Sequence, residues 1–293
     1  MHYSAAQRNV CHLARMPKLR LAPTPSGLLH LGNGVNFVLN AAWALQLGGQ
    51  LTLRIDDLDS ARVRGEYLND IDDTVRWLFP DVADGLIAGA LVQSRRAGRY
   101  AGVLDALRQN RLVYACACSR KQIRAAQEAA GTGAGDVNAY PGTCRERELP
   151  LDAEHVTWRM REDDTIVRLR NGKPSYQLAS VIDDVDSDIT HVYRGQDLAS
   201  STRMQQVLAK ALAEVDESFA AFAKTHFKHH PLLTDRDGSK LSKRDGAESL
   251  RALRQNRVDR TVVVREAGKL LGRPDVRSLE ELGEVIGYAD RVN

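Results

Sequence analysis

Residues 18–55 constrain the fold more than any other stretch of this chain. Lys18-Leu-Arg-Leu-Ala22 alternates as a short strand does. Pro23-Thr-Pro-Ser-Gly27 follows, a run of turn formers in which a helix cannot begin early. From about His30 to Leu47 the period becomes helical, with Val35, Val38, Leu39, Ala42 and Leu45 on one face, and Gly48-Gly49 stops it. Leu51-Thr-Leu-Arg-Ile55 then alternates again. Strand, helix and strand in so short a span predict a βαβ unit, hence an α/β fold with a parallel sheet.

The rest of the chain fits that class. Helical spacing predicts helices over about Gly65–Leu78 and Arg99–Asn110, and over Ser200–Leu212 with Ser200 or Ser201 as N-cap. Ile166–Arg170 and Ile189–Tyr193 read as strands. Between about 114 and 150 lies a cysteine-bearing segment with no strong period, including a small-residue patch at Ala125–Gly135. The turn Asp235-Arg-Asp-Gly238 leads into a basic loop at 239–244, and the last fifty residues read as helical.

Composition removes several classes. With 293 residues the prior is about two domains at roughly 150 residues each. Lys and Arg number 41 against 38 Asp and Glu, a net charge of +3. That is too small to argue for nucleic acid from bulk charge, and it leaves room for a local basic track. The uncharged stretch Leu31–Gly49 is interrupted by Asn33, Asn36, Asn40 and Gln46, which makes a poor membrane span. Arg8, Arg15, Lys18 and Arg20 stand in the first twenty residues with no apolar core between them, so no secretory signal is visible. A soluble, cytoplasmic protein with no membrane partner is expected.

Two segments carry nucleotide-binding chemistry. Ala22-Pro-Thr-Pro-Ser-Gly-Leu-Leu-His-Leu-Gly-Asn33 is a glycine-bearing turn between a first strand and a helix. Helix N–H groups and the macrodipole receive phosphate at such a junction. His30 would donate to an ATP phosphate there, with Gly32 and Asn33 beside it. Gly238-Ser-Lys-Leu-Ser-Lys-Arg244 places Lys240 and Lys243 three residues apart, so both can reach one polyphosphate. Read singly, the first is an ordinary structural turn and the second a solvated basic loop. Their order, 210 residues apart on a parallel-sheet pattern, is what joins them.

In this arrangement the chain resembles the class I aminoacyl-tRNA synthetases. His30–Asn33 stands where that family has HIGH, and Lys240–Arg244 where it has KMSKS. Arg20 before the Ala-Pro-x-Pro-x-Gly turn, Arg54-Ile-Asp-Asp-Leu-Asp59 and Tyr193-Arg-Gly-Gln-Asp-Leu198 narrow the resemblance to the glutamyl branch, over roughly residues 18–275. The resemblance implies a Rossmann-like parallel-sheet catalytic domain with an inserted small zinc subdomain and a short helical C-terminal segment. The boundaries it implies are an N-terminal extension at 1–17, a first catalytic half at 18–112 and an inserted zinc-binding segment at 113–150. A second catalytic half with the KMSKS-like loop covers 151–245, and a helical segment covers 246–293. It also implies in-line reaction of ATP with glutamate at the α-phosphate, with Mg²⁺ on the phosphates. His30, Lys240 and Lys243 would be the catalytic residues, and His30, Gly32, Asn33 and Lys243 would hold ATP.

Glutamate presents one ammonium and two carboxylates, and an arginine fork suits a carboxylate. By position in the family motifs, Arg20 and Arg194 would take the carboxylate end, and Tyr176 would help hold the amino group. Leu21, Ala22, Pro23, Thr24 and Asp56 would line the rest. Outside that frame Arg194 reads as a strand-end salt bridge and Tyr176 as a half-buried strand aromatic. Asp56 departs from the family, which has Glu there. One methylene shorter, it is expected to lose the ammonium contact, bridge it by water or redirect it.

Cys116-Ala-Cys118 and Tyr140-Pro-Gly-Thr-Cys144 offer thiolates of the kind that hold Zn²⁺. From composition alone, small buried hydrophobes are an equal reading. The resemblance implies a structural zinc on Cys116, Cys118, Tyr140 and Cys144, with Cys11 a weaker fourth ligand. Only forty-nine residues follow Arg244, too few for an anticodon-binding domain. The chain is therefore similar to the short synthetase-like enzymes that place glutamate on the queuosine base of tRNA(Asp), most simply as a monomer. Arg120, Lys121, Arg124, Arg145 and Arg147 could follow the RNA backbone or form a solvated surface. Two other readings stay open: adenylation with a different acceptor (another tRNA, or a non-RNA amine or thiol), and a non-catalytic RNA-binding paralogue.

Overall fold

A computed structural model of the protein describes residues 16–129, 140–233 and 249–292. β1 (Lys18–Leu21), α1 (Leu31–Gln46) and β2 (Gln50–Ile55) form the βαβ unit, with β1 and β2 parallel from Lys18↔Gln50 to Leu21↔Leu53. α2 (Gly65–Leu78) and α3 (Ala83–Ala88) lead to a two-residue β3 (Leu91–Val92), parallel to β2. After α4 (Ala97–Gln109) the chain leaves this sheet. β4 (Val113–Cys116), β5 (Thr157–Met160) and β6 (Ile166–Arg168) make a separate antiparallel sheet, with α5 (Arg120–Ala129) following β4. The partners of β4 thus lie beyond residue 150.

The chain returns through α6 (Tyr176–Asp186) to β7 (His191–Gly195), α7 (Ala199–Leu212) and β8 (His226–His230), and β7 and β8 pair in parallel. β7 sits beside β1, where Lys18 N donates to Thr190 Oγ1 at 2.8 Å and Thr190 N to Lys18 O at 2.9 Å. α8 (Leu250–Gln255), α9 (Thr261–Leu270) and α10 (Leu279–Val292) close the fold. Among the described residues no helix is long and apolar enough to cross a membrane.

α1 is the centre of the first core. Val35, Val38, Leu39, Ala42 and Trp43 are buried against Leu19, Leu21, Leu53 and Ile55 of the sheet and against Leu250, Val263, Leu282 and Ile286 of the C-terminal helices. A second core joins α4, α6 and α7 to the antiparallel sheet and to Phe219 and Phe222. The amides that interrupt the α1 apolar run are all used. Asn33 Oδ1 accepts from His30 N at 3.0 Å, and Asn36 and Asn40 both donate to Tyr193 O, at 2.9 and 2.8 Å. Gln46 packs on α10, where a Cβ on Gly287 would lie 2.6 Å from its Nε2. A Cβ on Gly283 would lie 2.8 Å from Ala42 O, so two glycines let α10 approach the α1 backbone.

The expected helix at 65–78 is present, and the one expected near 99–110 begins two residues earlier. Residues 176–186 differ from the sequence reading, which gave Tyr176 an ordinary place in a strand. Tyr176 is instead the first residue of α6, whose N-cap Ser175 accepts from Leu178 N at 3.2 Å.

Candidate active site

A cleft of roughly 480 Å³ opens at the end of the first βα unit. Arg20, Ala22, Pro23, Thr24, His30, Gly32, Asn33, Asp56, Tyr176 and Arg194 all line it. Leu21 does not. Neighbouring strand residues face opposite ways, and Leu21 is fully buried in the core while Arg20 faces the cleft. Lys240 and Lys243 lie outside the described residues.

The turn before α1 is anchored at both ends. Leu29 N donates to Asp70 Oδ2 at 2.8 Å, and Arg254 from α8 reaches Asp70 Oδ1 at 2.7 Å. Asp56 N donates to Pro23 O at 2.9 Å, tying the turn to the end of β2. His30 is the N-cap of α1, and a Cβ on Gly32 would lie 2.9 Å from its Cε1. The imidazole therefore folds over Gly32, across the first turn of a sixteen-residue helix where anions are favoured.

Beneath the turn lies a buried charge network. Arg20 binds Asp184 through Nε and Nη2, at 3.0 and 3.3 Å. Arg54 Nη1 donates to the same carboxylate at 2.6 Å, while its Nε and Nη2 hold Asp56 at 2.6 and 3.1 Å. Both carboxylate oxygens of the shorter side chain at position 56 are thus engaged by Arg54. Burial opposes the charge on Asp184, but Arg20 and Arg54 outweigh it and keep that carboxyl below the usual range. Burial raises Asp56 despite Arg54. Beside Asp184 on α6, Asp183 accepts from Gln93 Nε2 at 2.7 Å and from Tyr100 OH at 2.9 Å.

Arg194, near the end of β7, is held differently. Its Nη2 donates to Thr202 Oγ1 at 2.6 Å and Gln205 Oε1 at 2.9 Å, and its guanidinium stands 5.0 Å from the centre of the Phe227 ring. Among the described residues no carboxylate pairs with it directly. Its Nε and Nη1 are buried and have no hydrogen-bond partner among the described residues. Burial lowers its pKa, the neighbouring Arg20 works in the same direction, and the Tyr176 hydroxyl beside it works against the shift. Arg20 and Arg54 share Asp184, and Arg54 also holds Asp56, with Asp183 4.0 Å away, whereas Arg194 forms no ion pair among the described residues.

Arg54, Asp183, Asp184, Thr202 and Gln205 were not singled out as site residues from the sequence. Two adjacent acids inside the otherwise apolar run Leu178–Val185 were the available signal, because buried acids need partners.

The thiols of Cys116, Cys118 and Cys144 lie within 4.8 Å of one another, at the end of β4 and in the loop before β5. Cys118 Sγ is 3.4 Å from Cys144 Sγ, and the Tyr140 hydroxyl is 3.3 Å from Cys116 Sγ and 3.5 Å from Cys118 Sγ. Ligands about 2.3 Å from a tetrahedral ion stand about 3.8 Å apart, so this set fits one cation. Burial pushes the Cys118 thiol up to about 11, whereas at Cys144 burial is outweighed by hydrogen bonds, Tyr140 first, that bring it down to about 7. Cys11 lies outside the described residues. Nearby, α5 buries none of its residues, and Arg145 pairs with Asp164 at 2.5 Å.

A family model described as tRNA synthetases class I (E and Q), catalytic domain, matches residues 18–169 and 152–286. The Glutamyl-Q tRNA(Asp) synthetase of Synechococcus sp. (strain CC9605) is 35% identical over 277 residues, covering 88% of this chain and 85% of that protein. A protein of the same name from Nitratidesulfovibrio vulgaris is 36% identical over 269 residues, 80% of each chain. The Glutamate--tRNA ligase of Synechococcus sp. (strain JA-3-3Ab) is 34% identical, and the match spans 53% of its length. In fold, the chain is similar to the crystal structure of Glutamate-tRNA Synthetase from Elizabethkingia anophelis. The TM-score is 0.71 at 22% identity, over 92% of this chain and 65% of that one.

Proposed function

The chain belongs to the class I tRNA synthetases of the E and Q type, and from that premise we propose that it activates glutamate with ATP and transfers it to the queuosine base of tRNA(Asp). The observation that carries the amino-acid assignment is Arg194, whose buried Nε and Nη1 lack partners among the described residues, in the wall of a cleft that also holds the α1 N-terminus. A glutamate carboxylate satisfies these donors.

In this reading Arg20 and Arg194 set the side-chain carboxylate. Tyr176 and Asp56 border the ammonium, and Pro23 and Thr24 shape the entrance beside Ala22. The substrate's α-carboxylate oxygen attacks the α-phosphorus of ATP as the bond from that phosphorus to the bridging oxygen breaks, releasing pyrophosphate. His30 and the first-turn N–H groups near Gly32 and Asn33 stabilise the phosphate charge as it builds. Lys240 and Lys243 are assigned to the leaving pyrophosphate, and Mg²⁺ bound with ATP would neutralise phosphate charge. A hydroxyl of the queuosine cyclopentene ring then attacks the acyl carbon and releases AMP. Catalysis is positioning and charge stabilisation throughout.

We assign a structural zinc to Cys116, Cys118, Cys144 and Tyr140, a choice supported by three converging thiols and the hydroxyl among them. The ion would fix the loop before β5 against the end of β4 and take no part in the chemistry. The basic residues Arg120, Lys121, Arg124, Arg145 and Arg147 are assigned to the RNA backbone.

ATP–pyrophosphate exchange with each amino acid, without tRNA, tests the activation. Glutamate alone is expected to drive it, and exchange driven by another amino acid overturns the pocket assignment. Charging queuosine-containing and queuosine-lacking tRNA(Asp) side by side tests the acceptor. Equal labelling of the two would refute queuosine.

A further inference from the structure

We propose that His229 is a positioning residue for Arg194, acting through the hydroxyl of Thr202. The inference rests on the glutamate reading above and deepens it.

Thr202 Oγ1 stands between the two side chains. It accepts from Arg194 Nη2 at 2.6 Å and lies 2.8 Å from His229 Nε2. An arginine N–H can only donate, so the hydroxyl oxygen is the acceptor on that side. Its own proton has two possible acceptors, Leu198 O at 3.3 Å and the His229 nitrogen at 2.8 Å. The shorter contact takes it. His229 is then neutral, with the proton on Nδ1 and the Nε2 lone pair facing Thr202. The three groups form one polarised chain, Arg194 to Thr202 to His229, in which each bond strengthens the next.

The electrostatics agree with the geometry. Burial is the first cause that lowers the His229 pKa, followed by Arg194 on β7 and His230 on its own strand. A neutral imidazole adds no second positive charge beside an arginine that already lacks a carboxylate partner. It also leaves the hydroxyl lone pairs free to hold the guanidinium.

The consequence is for substrate recognition. Gln205 and Thr202 receive both protons of Arg194 Nη2, so they fix the plane of the guanidinium. With the hydroxyl proton directed to His229, Thr202 cannot rotate it toward the arginine. Arg194 then presents Nε and Nη1 in one orientation, and the ordering is done before glutamate arrives. His229 touches no substrate and needs no proton transfer to do this.

The experiment compares the full-length protein with H229L, H229Q and T202V in ATP–pyrophosphate exchange. H229L is expected to raise the glutamate KM about five- to tenfold with kcat within about twofold, the size of one lost hydrogen bond. H229Q puts an acceptor near the Nε2 position and is expected to restore most of the loss. T202V, which also removes an acceptor of Arg194 Nη2, is expected to lose at least as much as H229L, and the double variant to be no worse than T202V alone, because His229 acts only through that hydroxyl. An unchanged KM in H229L, or multiplying effects in the double variant, overturns the proposal. Imidazole ¹⁵N spectra of the unmutated protein at pH 7 supply a readout independent of activity. A neutral His229 with its proton on Nδ1, altered by T202V, is the expected result, and a proton on Nε2 overturns it. If no amino acid drives exchange, the glutamate reading fails, and these spectra still decide the tautomer.

Discussion

Arg54 and Asp56, two residues apart at the end of β2, grip one another through two hydrogen bonds, Nε to Oδ1 at 2.6 Å and Nη2 to Oδ2 at 3.1 Å. Both side chains are buried, and Arg54 carries a second bond to Asp184. Asp56→Ala is expected to lower the unfolding free energy by about 2–4 kcal/mol, because it strips one of two partners from a buried guanidinium. Urea unfolding measures it, and a change below about 0.5 kcal/mol contradicts the network.

The imidazole of His30 leans on Gly32, where a Cβ would come within 2.9 Å of Cε1. Gly32→Ala is expected to push the ring off the first turn of α1 and cost about a hundredfold in kcat, the scale of one preorganised donor. The fold should remain, since the displaced atoms belong to a side chain. An exchange assay with a parallel melting curve reads both, and wild-type kcat would show that His30 does not need this seat.

Mass spectrometry under native conditions and elemental analysis are expected to find one zinc per chain, lost in Cys116→Ser and in Cys144→Ser. Metal-free protein should melt earlier, and the change should concentrate in the antiparallel sheet, because β4 carries Cys116 and pairs with β5. Retention of zinc in both serine variants would remove these thiols from the ligand set.

His230 is buried against Asn36. Its Nδ1 donates to Pro231 O at 2.7 Å, and its Nε2 accepts from Asn36 Nδ2 at 3.3 Å. Burial holds its pKa below that of an ordinary histidine, and His229 is lowered as well. In the unfolded chain both take up protons near pH 6.5, whereas in the folded state they do so at lower pH. The stability they confer is therefore complete above about pH 6.5 and is lost as pH falls through their folded pKa values. The melting temperature should drop between pH 7.5 and 5.5, and His230→Leu should flatten that slope. A slope unchanged by the substitution would place the titration elsewhere.

At the crossing of α1 and α10, Gly283→Ala sets a methyl 2.8 Å from the carbonyl of Ala42, whereas Gly287→Ala meets only the end of the Gln46 side chain. The first is expected to cost about 1–3 kcal/mol and the second less, since Gln46 can turn away. Denaturant midpoints for the two variants rank them, and the reverse order would contradict the packing.

Much of the fold was legible because it is local. The turn formers at Pro23–Gly27, the apolar face of α1 and the glycines after it dictate a strand, a turn and a helix over neighbouring residues. The cleft residues Arg20, His30 and Arg194 were legible through motifs tied to those junctions. α6 was harder to see. Its Ser175 cap is an ordinary signal, but the acids at 183, 184 and 186 interrupt its apolar pattern, and they make sense only beside Arg20, Arg54 and Arg96. β4 and β5 were likewise hidden, because strands of four residues gain their stability from a partner more than forty residues away.

The sequence by itself determined the class of the protein: the βαβ start, the order of the two nucleotide motifs, the three cysteines and the arginines of the glutamyl branch. These follow from residue type and spacing. Only the tertiary structure decided how the charges are divided. Arg20 and Arg54 share Asp184, Asp56 is held by Arg54, and among the described residues Arg194 has Thr202 and Gln205 and no acid. The two pairings with Asp184 join residues more than a hundred positions apart, and those of Arg194 join β7 to the helix after it. A buried charge takes the partner that folding brings within about 3 Å, and spacing along the sequence does not set that distance.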